Sequence, residues 1–139
     1  MKRGQEVVGK VVKVTFPNKG IIETEDGDKL RVKGVLPGQV VKARVKKSSR
    51  EKAEANLMEV VEKSPLEMET PSCPHFGICG GCTYQSIDYK DQLSIKEGMI
   101  HDLLAPVIGE EVWSATYEGI KASPQQFGYR NKMEFSFGD

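Results

Sequence analysis

Glu6-Val7-Val8-Gly9-Lys10-Val11-Val12-Lys13-Val14-Thr15-Phe16 decides how the first half of this chain folds. Valine fills five of these eleven positions, and a β-branched side chain, stiff at χ1, suits a pleated surface better than a helix. The stretch reads as one long strand. Gly9 inside it predicts a bend or bulge of the kind that curls a sheet toward closure. Working outward, Lys19–Glu25 and Asp28–Lys33 flank Asp26-Gly27, a strong hairpin signal. Leu36-Pro37-Gly38 makes the next turn. Gln39–Lys47 then alternates, with Val41, Ala43 and Val45 on one face and Lys42, Arg44 and Lys46 on the other. A fifth strand is expected from about Ala53 to Glu62, after a loop over residues 47–52. Five short strands in about sixty residues predict a small OB-like β-barrel.

Charge divides the chain where the strands end. Residues 1–63 carry fifteen Lys and Arg against nine Asp and Glu, a net of +6, and residues 64–139 carry the opposite, −6. Such asymmetry points to a basic binding module joined to a part with another task. Ser64–Ser72, with Pro65 and Pro71 and no periodicity, reads as a linker. The expected organisation is therefore a barrel over 1–63, a linker over 64–72 and a second unit over 73–139. Lys42, Arg44, Lys46, Lys47 and Arg50 form a cationic strip that can follow a phosphate backbone. The competing reading is a solvated face whose lysines prevent edge-to-edge aggregation. Phe16 is the only aromatic residue before position 64, so backbone contact is favoured over base stacking.

All three cysteines of the chain lie in Cys73-Pro74-His75-Phe76-Gly77-Ile78-Cys79-Gly80-Gly81-Cys82. Thiolates are soft ligands suited to iron–sulfur clusters and zinc. Glycines between them let the backbone curl around an inorganic core and aim N–H groups at its sulfurs. A cubane needs four ligands and this chain supplies three cysteines. Zinc held with His75 as a Cys3His set is the alternative. A disulfide is disfavoured by the odd count and by the short spacing. Nothing in the opening residues resembles a signal peptide, and no run is long enough for a membrane span. A cytoplasmic, monomeric protein with free thiols is expected.

Beyond the cysteines, Ser86 or Asp88 is placed to cap a helix running to Leu104 and stopped by Pro106. Tyr89, Leu93, Lys96, Ile100 and Leu103 are its expected packed face. Trp113–Gly119 reads as a strand. Phe127–Phe137 reads as another, with Met133, Phe135 and Phe137 on one side, and it calls for a partner beyond Asp139. The whole chain is thus expected to be α+β.

Cys73–Cys82 followed by Gln85, Tyr89, Gln92, Leu93 and Lys96 resembles the cluster segment of the bacterial 23S ribosomal-RNA uracil-5 methyltransferases. Phe127-Gly128-Tyr129-Arg130-Asn131-Lys132 is similar to the start of that family's central domain, and the first sixty residues resemble a TRAM domain. Radical methylthiotransferases also carry a TRAM domain, but their C-x3-C-x2-C is not present here. The resemblance implies that Cys73, Cys79 and Cys82 ligate a [4Fe–4S] cluster whose fourth ligand lies outside this chain. It also implies a ribosomal-RNA partner, with Arg130 and Lys132 among the contacts, and S-adenosylmethionine as cofactor of the complete enzyme. The chain has no G-x-G-x-x-G and no cysteine past Cys82, so it is expected to be the amino-terminal part of such an enzyme and inactive alone. The alternative is a self-sufficient RNA-binding module with a structural zinc or redox-sensing cysteine site.

Overall fold

The computed structural model of the protein describes residues 1–47, 53–132 and 134. Five strands are present: β1 (Glu6–Thr15), β2 (Lys19–Thr24), β3 (Lys29–Lys33), β4 (Val40–Lys47) and β5 (Glu54–Glu62). They close into a barrel in the order β1-β2-β3-β5-β4. All neighbours are antiparallel except β3 and β5, which run parallel and share only the pairs Arg31↔Glu54 and Val32↔Ala55. The α+β architecture with an OB-like barrel agrees with the sequence reading.

β1 closes the ring because it serves two partners. Glu6–Lys10 pair with β4 and Gly9–Thr15 with β2. Gly9 stands where the two ladders overlap, and a Cβ there would lie 2.8 Å from the Glu23 carbonyl oxygen. The bulge itself falls further along than Gly9 suggested. The register shifts between Val11 and Lys13, so Val12 is the extra residue. Val11 and Val14 both turn inward as a result, while Val12 faces outward. Gly20 has a matching role: a Cβ there would collide with the Val35 side chain.

Alternation along the other strands fills the interior. Ile22, Leu30, Val32, Val35, Val41, Ala43 and Val45 are essentially sequestered from solvent. Each valine, leucine or isoleucine among them contributes about 1.5–3 kcal/mol relative to exposure. The barrel is completed from outside its own sequence, because Met99 belongs to the same apolar cluster, with Tyr84 and Ile95 packed against it.

The first part of the expected linker, Ser64–Met68, is docked. Ser64 Oγ donates to the Pro37 carbonyl at 2.6 Å, and Glu67 Oε1 accepts from both Gln39 Nε2 and the Ser64 amide at 2.8 Å. Glu67 then bridges to Ile87, and the Met68 amide donates to the Ser86 carbonyl.

The first helix, α1 (Tyr89–Ile108), is capped by Asp88, whose side chain accepts from the Lys90 amide. It continues past Leu104 and includes Pro106. The proline has no N–H for the Asp102 carbonyl, yet it stands in the last turn, where losing one bond is tolerable. The packed face also differs from the expected one. Met99 and Ala105 are buried, whereas Ile100 and Leu103 are exposed and Tyr89 and Leu93 only partly covered. Apolar residues occur on several sides of this helix, and the barrel takes the side carrying Ile95 and Met99. Lys13 Nζ fixes the orientation through Asp102 Oδ2 at 2.7 Å.

Trp113–Gly119 is not a strand. Gly109, at φ +90°, turns the chain into a second helix, α2 (Glu110–Thr116). Glu110 and Glu111 suit its positive amino-terminal end. Trp113 is buried, edge-on to His101 and stacked on Tyr117 at 4.3 Å between ring centres. Phe127–Lys132 form no strand, and Met133 and residues 135–139 of that expected strand lie outside the described residues.

Two predictions follow from backbone space and charge. Gly9→Ala should cost about 1–3 kcal/mol, because a carbonyl oxygen cannot yield as a side chain does. Gly98→Ala, in open space on α1, should instead stabilise by about 0.5–1 kcal/mol; urea unfolding of both variants reads the two signs. His101 Nε2 lies 2.7 Å from Glu110 Oε1, and that hydrogen bond raises the imidazole pKa above its ordinary 6.5. The stabilisation it brings is complete below pH 6.5 and is lost as pH rises through the folded value. An NMR titration of His101 should show the raised midpoint, and Glu110→Gln should lower it.

Candidate metal loop and nucleic-acid face

The cysteine loop is a run of tight turns built on backbone bonds. The Phe76 amide donates to the Cys73 carbonyl at 3.1 Å, and the Ile78 and Cys79 amides both donate to the His75 carbonyl, at 3.1 and 2.9 Å. Gly77 takes φ +88°, a conformation that other residues rarely adopt. A Cβ on Gly81 would stand in van der Waals contact with Cys79 Sγ, at 3.4 Å, so that sulfur lies close to the backbone there. Gln85 Nε2 approaches Cys82 Sγ at 3.9 Å, a long N–H···S contact.

All three thiols are free, with Cys79 and Cys82 exposed and Cys73 partly covered. Three soft donors in a glycine-rich loop suit a thiolate-bound metal chemically, one donor short of the four a cubane takes. As arranged, they do not converge on a point. Among the described residues, no three His, Cys, Asp or Glu side chains form a ready metal-ligand set, His75 included.

The elements on either side hold this loop in place. Tyr84 donates its hydroxyl to Asn18 Oδ1 at 2.9 Å, tying the loop's exit to the β1–β2 turn. Ile87 is buried just before α1. Cys82, Gln85, Tyr89, Gln92, Lys96 and Arg130 all line one open groove of about 640 Å³. Four of the five motif residues that follow the cysteines in sequence, all but Leu93, thus share a surface with one of them. Tyr89 also accepts a hydrogen bond from the Ser123 amide at 2.8 Å, which draws the carboxy-terminal segment to the groove. Arg130 stands on its rim, and Lys132 is exposed beyond it, paired with Glu134 at 2.9 Å.

On the barrel, Lys42, Arg44 and Lys46 point outward from β4 as their alternation requires. Two of them are already engaged. Glu6, on the neighbouring strand, contacts Lys42 Nζ and Arg44 Nη2, each at 2.8 Å. Arg44 and then Lys42 hold the Glu6 carboxyl at a pKa of about 2, against an ordinary 4.5. Lys47 is exposed at the strand's end, and Arg50 lies outside the described residues.

A second basic surface was not anticipated. Lys19, Arg31, Lys33 and Lys46 line a groove of about 490 Å³ where β3 meets β5, with Glu54 as the one carboxylate among its described residues. The outward positions of β3 were legible from Lys29-Leu30-Arg31-Val32-Lys33. What brings them beside Lys46 is the parallel β3–β5 seam, and no local pattern announces that pairing.

No model of a known protein family matches the chain. Individual relatives do. An uncharacterised RNA methyltransferase of Caldanaerobacter subterraneus is 44% identical over 99% of this chain and 30% of its own length. One from Clostridium tetani is 40% identical over 100% of the chain and 29% of its own length. The 23S rRNA (uracil(1939)-C(5))-methyltransferase RlmD of Stenotrophomonas maltophilia is 33% identical over 91% of the chain and 28% of its own length. The chain therefore spans about 30% of the length of these relatives. Along nearly its whole length the chain thus resembles a stretch of RNA methyltransferases, a 23S rRNA uracil-C5 methyltransferase among them.

Proposed function

We propose that this chain is the amino-terminal, RNA-docking and [4Fe–4S]-binding part of an S-adenosylmethionine-dependent 23S rRNA uracil-5 methyltransferase. The observation that carries the reading is the homology along nearly the whole chain to about 30% of RNA methyltransferases. The barrel, similar to a TRAM domain, docks the RNA through phosphate contacts on its basic surface. Cys73, Cys79 and Cys82 hold the cluster together with a fourth ligand from outside the chain. When bound, the cluster supplies a rigid, redox-capable thiolate-ligated core. Gly77 and Gly81 leave room for the backbone to wrap it, and Gln85 offers an N–H to the Cys82 sulfur.

Methylation needs groups that this chain lacks. Uracil carbon 5 becomes nucleophilic only after a thiolate adds at carbon 6, and a base must then remove the carbon-5 proton. The target base must also leave its stack for a pocket. The only three thiols here are those assigned to the cluster, and no glycine-rich G-x-G-x-x-G is present to approach the cofactor. The nucleophile and the glycine-rich cofactor loop therefore belong to the rest of the enzyme.

Two measurements test this assignment. Protein prepared anaerobically with iron and sulfide should show a broad charge-transfer absorption near about 400 nm. The triple variant Cys73→Ser, Cys79→Ser, Cys82→Ser should abolish it. Stoichiometric zinc in a colourless protein would transfer the site to the zinc alternative. Incubation of the 139-residue chain with labelled S-adenosylmethionine and ribosomal RNA should leave uracil carbon 5 unlabelled. Label at that carbon would overturn the division of labour and make one of the three cysteines a nucleophile.

A further inference from the structure

We infer that the barrel takes the RNA backbone in the β3–β5 groove formed by Arg31, Lys33 and Lys46, and not along the β4 strip of Lys42 and Arg44. This rests on the docking role proposed above and specifies where it resides.

Counting charge separates the two surfaces. Lys42 and Arg44 face Glu6, which contacts both, and Lys42 is paired across the ladder with Glu59. Two cations against two carboxylates leave no net charge there. In the groove, Lys19, Arg31, Lys33 and Lys46 stand against Glu54 alone, a net of +3 among the described residues. Glu54 is 3.3 Å from Lys19 Nζ, which leaves no described carboxylate within ion-pair distance of Arg31, Lys33 or Lys46.

The strand register adds a second, independent observation. Lys19 and Lys33 are direct cross-strand partners. Like charges directly opposite on one sheet face are destabilising, and a single carboxylate at 3.3 Å offsets only part of that. A polyanion laid between them removes the conflict. Phosphate groups supply that chemistry, and each contact releases a condensed counterion. No described aromatic side chain lines the groove, so the contact is to sugar–phosphate and is indifferent to sequence, as expected of a docking surface that leaves base selection elsewhere.

Lysines at a thinly paired seam can also act as guards against edge-to-edge association. That role predicts a change in solubility on removing them and none in the salt dependence of RNA binding. The two roles are therefore separable.

The test uses the 139-residue chain and a labelled single-stranded RNA of mixed sequence, about 12 nucleotides long, within the usual site size of an OB fold. Fluorescence anisotropy gives affinity against salt concentration. The groove variant Arg31→Gln, Lys33→Gln, Lys46→Gln should flatten the slope of log K on log salt by up to about 2, at roughly 0.7 per lost contact. The strip variant Lys42→Gln, Arg44→Gln should leave the slope within about 0.5 of the parent, less than one contact's worth. The reverse pattern would overturn the groove assignment while leaving RNA docking intact. Salt-sensitive binding that is absent even from the parent chain would remove the docking role itself. Should the groove variant fail to fold, amide shifts of the parent chain on adding the same RNA decide the matter. Perturbation at residues 19, 31–33, 46 and 54–57 supports the groove; perturbation confined to residues 6 and 42–44 overturns it.

Discussion

Closure of a five-stranded ring around a small aliphatic interior is the constraint on which the rest of this structure depends. A sheet this short becomes stable only when both faces of the problem are solved together, with edges removed and apolar residues enclosed. β1 makes that possible by pairing with β4 over one half and β2 over the other. The two glycines at the points of closest approach, Gly9 and Gly20, leave no space for a methyl group. Closure also brings β3 alongside β5, and this non-local pairing assembles the basic groove from residues far apart in sequence.

How much of this was legible in the sequence follows from the range of the forces involved. Period-two alternation and turn chemistry act over a few residues, and they located all five strands, the Asp26-Gly27 hairpin and the Pro37-Gly38 turn. The inward set Val41, Ala43 and Val45 was readable for the same reason. Ring order was not, and with it the groove, because the β3–β5 seam rests on tertiary closure. Glu6 was read only as part of a strand; that it contacts Lys42 and Arg44 depends on the β1–β4 register, which fixes Glu6 opposite Arg44.

The helical half shows the converse problem. Trp113 and Thr116 have strand propensity, yet Gly109 and two glutamates start a helix there, and burial of Trp113 against His101 and Tyr117 settles the outcome. Along α1 the periodicity was correct but the face was not. With apolar residues distributed around the helix, only packing against the barrel's apolar cluster could select Ile95 and Met99. The cysteines carried an expectation of donor type and none of geometry, since spacing names ligand types without drawing three sulfurs to one point.

Met99 has a consequence for the order in which the molecule is made. Synthesis proceeds from the amino terminus, and domains tend to fold as they emerge. When β5 has left the ribosome, every strand of the barrel is available, but the apolar cluster still lacks the side chain that completes it. The cysteine loop is produced in that interval, between the last strand and the helix that returns to the barrel. Ser64 and Glu67 already hold the entry of the loop to the barrel, and docking of α1 then fastens its exit, through Tyr84 and Ile87. The nascent chain thus finishes its scaffold and its thiol loop in a single event.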